Sequence, residues 1–268
     1  MKTKILIVGI DGLILERALG SGRAPALTRA KEAGTLTPLT MEVPTLSGPG
    51  WSTLLTGSPH AQHGVKDNLF AGHHLLRRPD LLSLAFYQDQ STTTFAAAGW
   101  PPLVDPAGVG PVIHERREQQ RSGQHRVIVR DGETYGYQRT DAEIADFAVY
   151  ALCNGGPDVS FVYFCDADDT AHLHGSLGEE YLQAIFRVDG HLDRLYTALL
   201  ERAATHHEKW LLIITTDHGH VDEGGHGKGS EPERASFVIA TGIGRANPQW
   251  PDNPEPHDLV PFLLAERH

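Results

Sequence analysis

Acidic side chains stand directly after three apolar runs of this chain. Asp11 follows Lys4 to Gly9 (KILIVG), Asp166 and Asp168 follow Asp158 to Phe164 (DVSFVYF), and Asp217 follows Trp210 to Thr216 (WLLIITT). Such runs predict buried strands. Ligands of open parallel sheets bind beyond the carboxyl ends of the strands, so acids from three strands would meet in one crevice. Carboxylates crowded together repel one another unless cations neutralise them. Taken singly, each Asp reads more simply as a helix N-cap or loop residue. Three at equivalent places point to metal binding.

Histidines accompany them. Asp168 and His172 are four apart and share a face if that segment is helical. Asp217 and His218 are adjacent, so the chain must leave the sheet there, and Gly219 permits the bend. His226 follows in the flexible run Gly224-Gly225-His226-Gly227, which could return to the same crevice. Oxygen and imidazole ligands without thiolate suit Zn²⁺ and, less selectively, Mn²⁺ or Fe. Of the 16 histidines, His60, His63, His73, His74, His206, His207 and His220 lack such a context and read as solvent-facing or local hydrogen-bonders. His220 is an alternative to His226, and His63 a candidate support around the site.

The nucleophile candidate lies in Pro44-Thr45-Leu46-Ser47-Gly48-Pro49-Gly50-Trp51, which leads into an apolar helical run ending at Thr56-Gly57. Pro49 suits a first helical turn, and Ser47 just before it would offer a phosphate the positive end of a helix. A plain N-cap is the other reading of Ser47. Thr45 and Pro49 occupy the flanking glycine positions of a Gly-x-Ser-x-Gly elbow, which counts against a Ser-His-Asp esterase. The sulfatase pattern Cys/Ser-x-Pro-x-Arg fits until Trp51 replaces the Arg, so Ser47 is expected to act as an unmodified hydroxyl. Gly20-Ser21-Gly22 runs into Arg23-Ala24-Pro25 rather than a third glycine, which excludes a dinucleotide fingerprint.

Further runs at Thr92 to Ala98 and Ala235 to Thr241 complete five expected strands, and helical patterns cover Pro25 to Ala33, Asp141 to Cys153 and Gly178 to Thr205. In the last, Tyr181, Ile185, Val188, Leu192, Leu195 and Leu199 recur at three- and four-residue steps. Alternating strands and helices predict an α/β fold with a mainly parallel sheet. The 268 residues suit one domain, 1–268, in which the less regular stretch of about 60–140 forms a small cap with a hairpin turn at Asp131-Gly132.

A formal charge of -11 with 34 acidic residues against 23 basic ones disfavours a nucleic-acid polymer as partner. Two cysteines, Cys153 and Cys165, make no disulfide framework. The apolar run Ile5 to Ile10 is too short for a signal segment or membrane span, so the chain is expected to start at Met1, in the cytoplasm and away from membranes. No patch indicates a protein partner, and no oligomeric state is implied.

Together, Gly9-Ile10-Asp11-Gly12, Pro44-Thr45-x-Ser47-x-Pro49, Thr56-Gly57 with His63-Gly64, Asp168-x-x-x-His172 and Thr216-Asp217-His218-Gly219 resemble the alkaline phosphatase superfamily, in particular its type I phosphodiesterase/nucleotide pyrophosphatase branch. The resemblance implies an alkaline-phosphatase-like three-layer sandwich. It also implies two divalent metal ions, one held by Asp11, Ser47, Asp217 and His218 and the other by Asp168, His172 and His226. Ser47 stands where nucleotide pyrophosphatases usually have Thr, and Gly50 where they have Asn. Gly48 and Asn68 match positions near the phosphate group. The expected activity is hydrolysis of a small phosphorylated substrate through a phosphoseryl intermediate on Ser47. A phosphomonoesterase on the same site is the first alternative, with Lys66, Arg77, Arg78 and Lys228 as its candidate cations. A catalytically inactive metal-binding relative is the second, and a phosphomutase would need a larger insertion than 60–140 provides.

Overall fold

The first apolar run becomes β1 (Lys4–Ile10) at the centre of a seven-stranded sheet, in a computed structural model that describes residues 2–268. The others are β2 (Thr35–Thr40), β3 (Thr94–Ala98), β4 (His125–Val129), β5 (Val159–Phe164), β6 (Trp210–Thr215) and β7 (Ala235–Ile243), in the order β2-β7-β6-β1-β5-β3-β4. β6, β1, β5, β3 and β4 are joined by parallel pairs. β7 is antiparallel to both β6 and β2, so it alone is reversed.

Alternating side chains divide the core into two layers. Leu6, Val8, Ile10, Leu212 and Ile214 face the helices Pro25–Ala33, Tyr137–Gly155 and Glu179–His206. Ile5, Ile7, Leu211 and Ile213 face Ser47–Thr56, Leu81–Gln88 and Leu259–Glu266. The result is the three-layer α/β sandwich expected. All six apolar positions of the long periodic helix, from Tyr181 to Leu199, are buried, each contributing roughly 1.5–3 kcal/mol relative to exposure.

Two strands escaped the periodicity, and both are edges. β2 (TLTPLT) carries Pro38 and is half exposed, whereas β4 (HRVIV) is short and pairs only with β3. An edge strand needs no continuous apolar run, and Pro is tolerated there. The stretch 60–140 therefore supplies β3 and β4 to the sheet as well as irregular covering segments. Asp131-Gly132 is not a hairpin turn. Asp131 caps a short helix, Gly132–Tyr135, accepting from the Thr134 amide at 3.0 Å. The same side chain that favours a turn also favours an N-cap, and β4 has no antiparallel neighbour to return to. No described helix is long and apolar enough to cross a membrane.

Candidate active site

The register sets the site. Gly9 lies opposite Tyr163 on one side and Thr215 on the other, so β1, β5 and β6 end level and the residues beyond them share one edge. Asp11 leaves β1 fully buried. Its Oδ2 accepts from the Trp51 indole N–H at 2.9 Å and the Tyr163 hydroxyl at 2.6 Å. Its Oδ1 lies 3.2 Å from His218 Nε2 and 3.5 Å from Ser47 Oγ. Asp217 and His218 come from the end of β6, with His218 Nε2 3.3 Å from Asp217 Oδ2 and 3.3 Å from Ser47 Oγ. His218 Nδ1 lies 3.1 Å from the Gly219 carbonyl. Donation there turns Nε2 towards the acids.

Gly9 continues the row Ile5, Ile7 on one face of β1, and the Trp51 ring fills the space its side chain would take. A Cβ there would come 2.5 Å from that ring. Gly12 is the second close approach. It has φ +60°, and a Cβ would come 2.4 Å from His220 Nε2 and 2.7 Å from Asp168 Oδ1.

Asp168 and His172 sit on the helix Asp166–His174. His172 Nε2 is 3.5 Å from Asp168 Oδ2 and 2.9 Å from His226 Nε2, and His226 Nε2 is 3.6 Å from Asp168 Oδ1. A tetrahedral ion with bonds of about 2.0 Å separates its ligand atoms by roughly 3.3 Å, so these three span the right distance to share one. His226 Nδ1 donates to the Thr45 carbonyl at 2.6 Å, which leaves Nε2 free to ligate. Thr45 also fastens the following loop, accepting from Gly227 N at 2.9 Å and donating to the Lys228 carbonyl at 2.8 Å. His220 has the opposite tautomer. Its Nδ1 accepts from Gly225 N at 3.0 Å, so Nε2 carries the proton and donates to Asp168 Oδ1 at 2.8 Å. His220 thus meets Asp168 as a donor while His226 Nε2 is free, and both fall in possible ligand groups with Asp168, His220 together with His172 and His226 together with His218.

Ser47 is not an N-cap. Leu46 occupies that position, and Ser47 opens the helix Ser47–Thr56 with its hydroxyl turned to Asp11 and His218. The Gly48 amide is already engaged by Asn68 Oδ1 at 2.8 Å, so of the two expected phosphate-side groups the Asn68 amide nitrogen is the donor left over. At Gly50 a Cβ would lie 3.0 Å from Asp217, which leaves no room for an Asn. Ser47 and Asn68 open onto a cavity of about 420 Å³ that also reaches His172 and His226. His63 touches none of the acids. It links Thr53 (3.1 Å) to the Val65 amide (3.0 Å), tying the segment that leads to Asn68 to the helix of Ser47. Asp166 turns away into a two-bond pair with Arg187 at 2.7 and 3.1 Å.

The electrostatics describe a shortage of positive charge. Burial opposes ionisation of Asp11, yet the hydrogen bond and charge of His218, then Tyr163 and Trp51, hold its carboxyl well below the usual range. Burial, and next the Asp11 carboxylate, push Asp217 well above that range and Asp168 up to about 6. Burial also opposes charge on His218, but Asp217 and Asp11 outweigh it and push the imidazole up to about 10. His220 and His226 are pushed down to about 4 by burial and by the His218 charge. Both Asp217 oxygens are buried without a hydrogen-bond partner. Unpartnered buried carboxylate oxygens are costly, and cations satisfy them. The residues present therefore fit divalent ions, with Asp11, Asp217 and His218 able to close on one and Asp168 able to close on another with His172 and His220 or with His218 and His226.

A sandwich of this strand order with a hydroxyl, three carboxylates and three imidazoles at one sheet edge defines a hydrolase of the alkaline phosphatase superfamily. The chain belongs to the type I phosphodiesterase/nucleotide pyrophosphatase family, whose model matches residues 5–230. That family is metal-dependent, and its members act on phosphoric ester bonds. Among solved structures, the chain is similar to phosphonoacetate hydrolase from Sinorhizobium meliloti 1021 in complex with phosphonoformate, at 13% identity and TM-score 0.69 over 100% of this chain and 96% of that one. It is similar to a 2-O GAG sulfatase at 16% identity and TM-score 0.72, over 100% and 71% of the two chains. It also resembles murine ectonucleotide pyrophosphatase/phosphodiesterase 5 in complex with AMP, at 22% identity and TM-score 0.59, over 81% and 57%. No curated protein matches the sequence.

Proposed function

We propose that the chain hydrolyses small phosphodiesters, with Ser47 as nucleophile between two divalent cations, Zn²⁺ by the chemistry of the donors. Asp11, Ser47, Asp217 and His218 would hold one cation, and Asp168, His172 and His226 the other. The observation that carries this reading is the convergence of Asp11 and His218 on the Ser47 hydroxyl, with Asp217 3.3 Å from His218 and both its oxygens without a hydrogen-bond partner. Cations held there supply Lewis acidity and offset the charge of the phosphoryl group. Ser47 Oγ attacks phosphorus as the alcohol leaves from the opposite side, and water then cleaves the phosphoseryl ester, so configuration at phosphorus is retained. Asn68 donates to a non-bridging oxygen, and burial of Ser47, 6% exposed, keeps bulk water from the attacking atom.

A diester is favoured over a monoester because no Lys or Arg lines the cavity among the described residues; Lys66, Arg77, Arg78 and Lys228 all lie elsewhere. A dianionic monoester would need more positive charge than the two cations bring. Comparing kcat/KM on bis(p-nitrophenyl) phosphate and p-nitrophenyl phosphate tests this, and a preference for the monoester would reverse the assignment. The reading places the enzyme in the cytoplasm, in keeping with the two unpaired cysteines.

A further inference from the structure

Asp141 is fully buried and has no part in the chemistry so far. It lies on the helix Tyr137–Gly155 and reaches the ends of β3 and β5. A Cβ at Gly99, just beyond β3, would come 3.7 Å from its Oδ1. Its Oδ2 accepts from two successive amides just beyond β5, Cys165 N at 2.9 Å and Asp166 N at 2.8 Å. Those bonds are its only polar engagement among the described residues, and its Oδ1 is buried without a partner. Burying a carboxylate is costly unless its bonds offset the loss of water. The bonds it makes go to the start of the helix Asp166–His174, whose cap residue Cys165 offers no side-chain bond. Asp141 thus supplies, from a neighbouring helix, the acceptor that a cap would, at the positive end of the helix dipole.

The helix so anchored carries Asp168 and His172. Arg187 grips the Asp166 side chain, so Asp166 is held by its backbone from one helix and by its carboxylate from another. The Arg187 side chain is 30% exposed and Asp141 is 0% exposed, so water competes for the first hold and not for the second. His172 lies beyond the anchored amide by roughly 9 Å along the axis, at about 1.5 Å per residue. A tilt of about 3° at the anchored end moves it by more than the ~0.2 Å that metal–ligand distances tolerate. Asp189 offers a contrast. It accepts from Ala26 N at 2.9 Å and Leu27 N at 2.8 Å at the start of the helix Pro25–Ala33, which carries no site residue.

We infer that Asp141 is a positioning residue: it fixes the helix that presents Asp168 and His172, and so sets the affinity of one cation site without touching a cation. This rests on the two-cation reading above. The chelated full chain would be titrated with Zn²⁺ as wild type, Asp141→Asn, Asp141→Ala and Asp189→Ala, with the melting temperature measured alongside. Loss of an outer partner weakens metal binding by about 10- to 100-fold, so Asp141→Ala should weaken one site about tenfold and leave the other within about twofold of wild type. Asp141→Asn keeps an oxygen for both amides but not its charge, and should weaken the same site about threefold. Asp189→Ala loses a comparable pair of bonds and should lower the melting temperature with both affinities unchanged. Equal weakening of both sites by Asp141→Ala, or the same weakening of one site by Asp189→Ala, would make Asp141 a merely structural residue and overturn the inference. Two sites unmoved by Asp141→Ala would overturn it as well and leave the two-cation reading standing. Fewer than two Zn²⁺ bound by wild type overturns both. If Asp141→Ala does not fold, Asp141→Asn decides alone: one weakened site supports the inference, and affinities within about 1.5-fold of wild type sink it.

Discussion

The two ligand clusters differ in how they are held. The side chains of Asp217 and His218 are 0% exposed, whereas that of His172 is 44% exposed. Asp11 is aimed by Trp51 and Tyr163, which belong to the packed core between β1, β5 and the helix of Ser47. The second cluster spans a helix end and a glycine-rich loop, and its aim depends on single hydrogen bonds from His220 and to Thr45. The first cluster is rigid because the fold would have to come apart to move it. The second is less enclosed at His172, while Asp168 and His226 are 11% and 4% exposed.

The largest expected effect strikes the proposed nucleophile beside the rigid cluster. Ser47→Ala should lower diester turnover on the order of 10³-fold or more, as loss of a covalent nucleophile does. Metal content by elemental analysis should stay near two per chain, because the remaining ligands are untouched. Substantial turnover in this variant would remove Ser47 from its role.

The contrast is sharpened by loosening only the open cluster. His220→Ala removes the donor to Asp168 Oδ1 and, in the ligand set proposed above, no ligand. Loss of such an orienting partner weakens metal binding by about 10- to 100-fold. Titration with Zn²⁺ after chelation should show one site weakened by that factor and the other unchanged. Equal weakening of both would mean that the clusters are not independent.

Trp51→Phe makes the matching test of the rigid cluster, keeping most of the ring over Gly9 but losing the N–H to Asp11 Oδ2. Tyr163 still donates to that oxygen, so a loss in kcat of about tenfold, near 1.4 kcal/mol, is expected. A loss above a hundredfold would show that Trp51 does more than aim Asp11.

Which residues were legible in the sequence follows the same division. Asp11, Asp168, Asp217 and their adjacent or i+4 histidines could be found because each stands at a strand end or at a helical interval. Trp51 and Tyr163 could not, since nothing local distinguishes an indole or phenol that aims a carboxylate from one that fills a core. Their partnership is made by sheet register, 152 residues apart in the case of Tyr163 and Asp11. His220 was set aside because the choice between it and His226 depends on which ring nitrogen meets Gly225 N or the Thr45 carbonyl. The central strands were legible from apolar runs buried on both faces. β2 and β4 were not, because edge strands are half solvated and need no such run.

The smallest expected effect concerns stability, and its sign depends on the cations. In the metal-free protein Asp168 is pushed up from 3.8 to about 6, Asp217 is raised well above its ordinary range and His218 is pushed from 6.5 up to about 10. In each case the folded state binds protons that the unfolded chain would release, so stability falls as pH rises through that window. Asp11 acts oppositely, but below the ordinary carboxylate range, outside the interval from pH 5 to 9. His220 and His226, pushed from 6.5 down to about 4, act oppositely up to pH 6.5, so the chelated protein should lose thermal stability from about pH 7 to pH 9. Asp217→Asn removes one of the buried acids, so at pH 8 the chelated variant should melt a few degrees above chelated wild type, at about 2–4 °C per kcal/mol. With Zn²⁺ in excess the order should invert, since wild type then gains about 2.7 kcal/mol at a hundred times Kd and the variant, lacking a ligand, gains less. Differential scanning fluorimetry in the two buffers measures both. If chelated Asp217→Asn melted below chelated wild type, the unpartnered carboxylate would not be the strain that bound cations relieve.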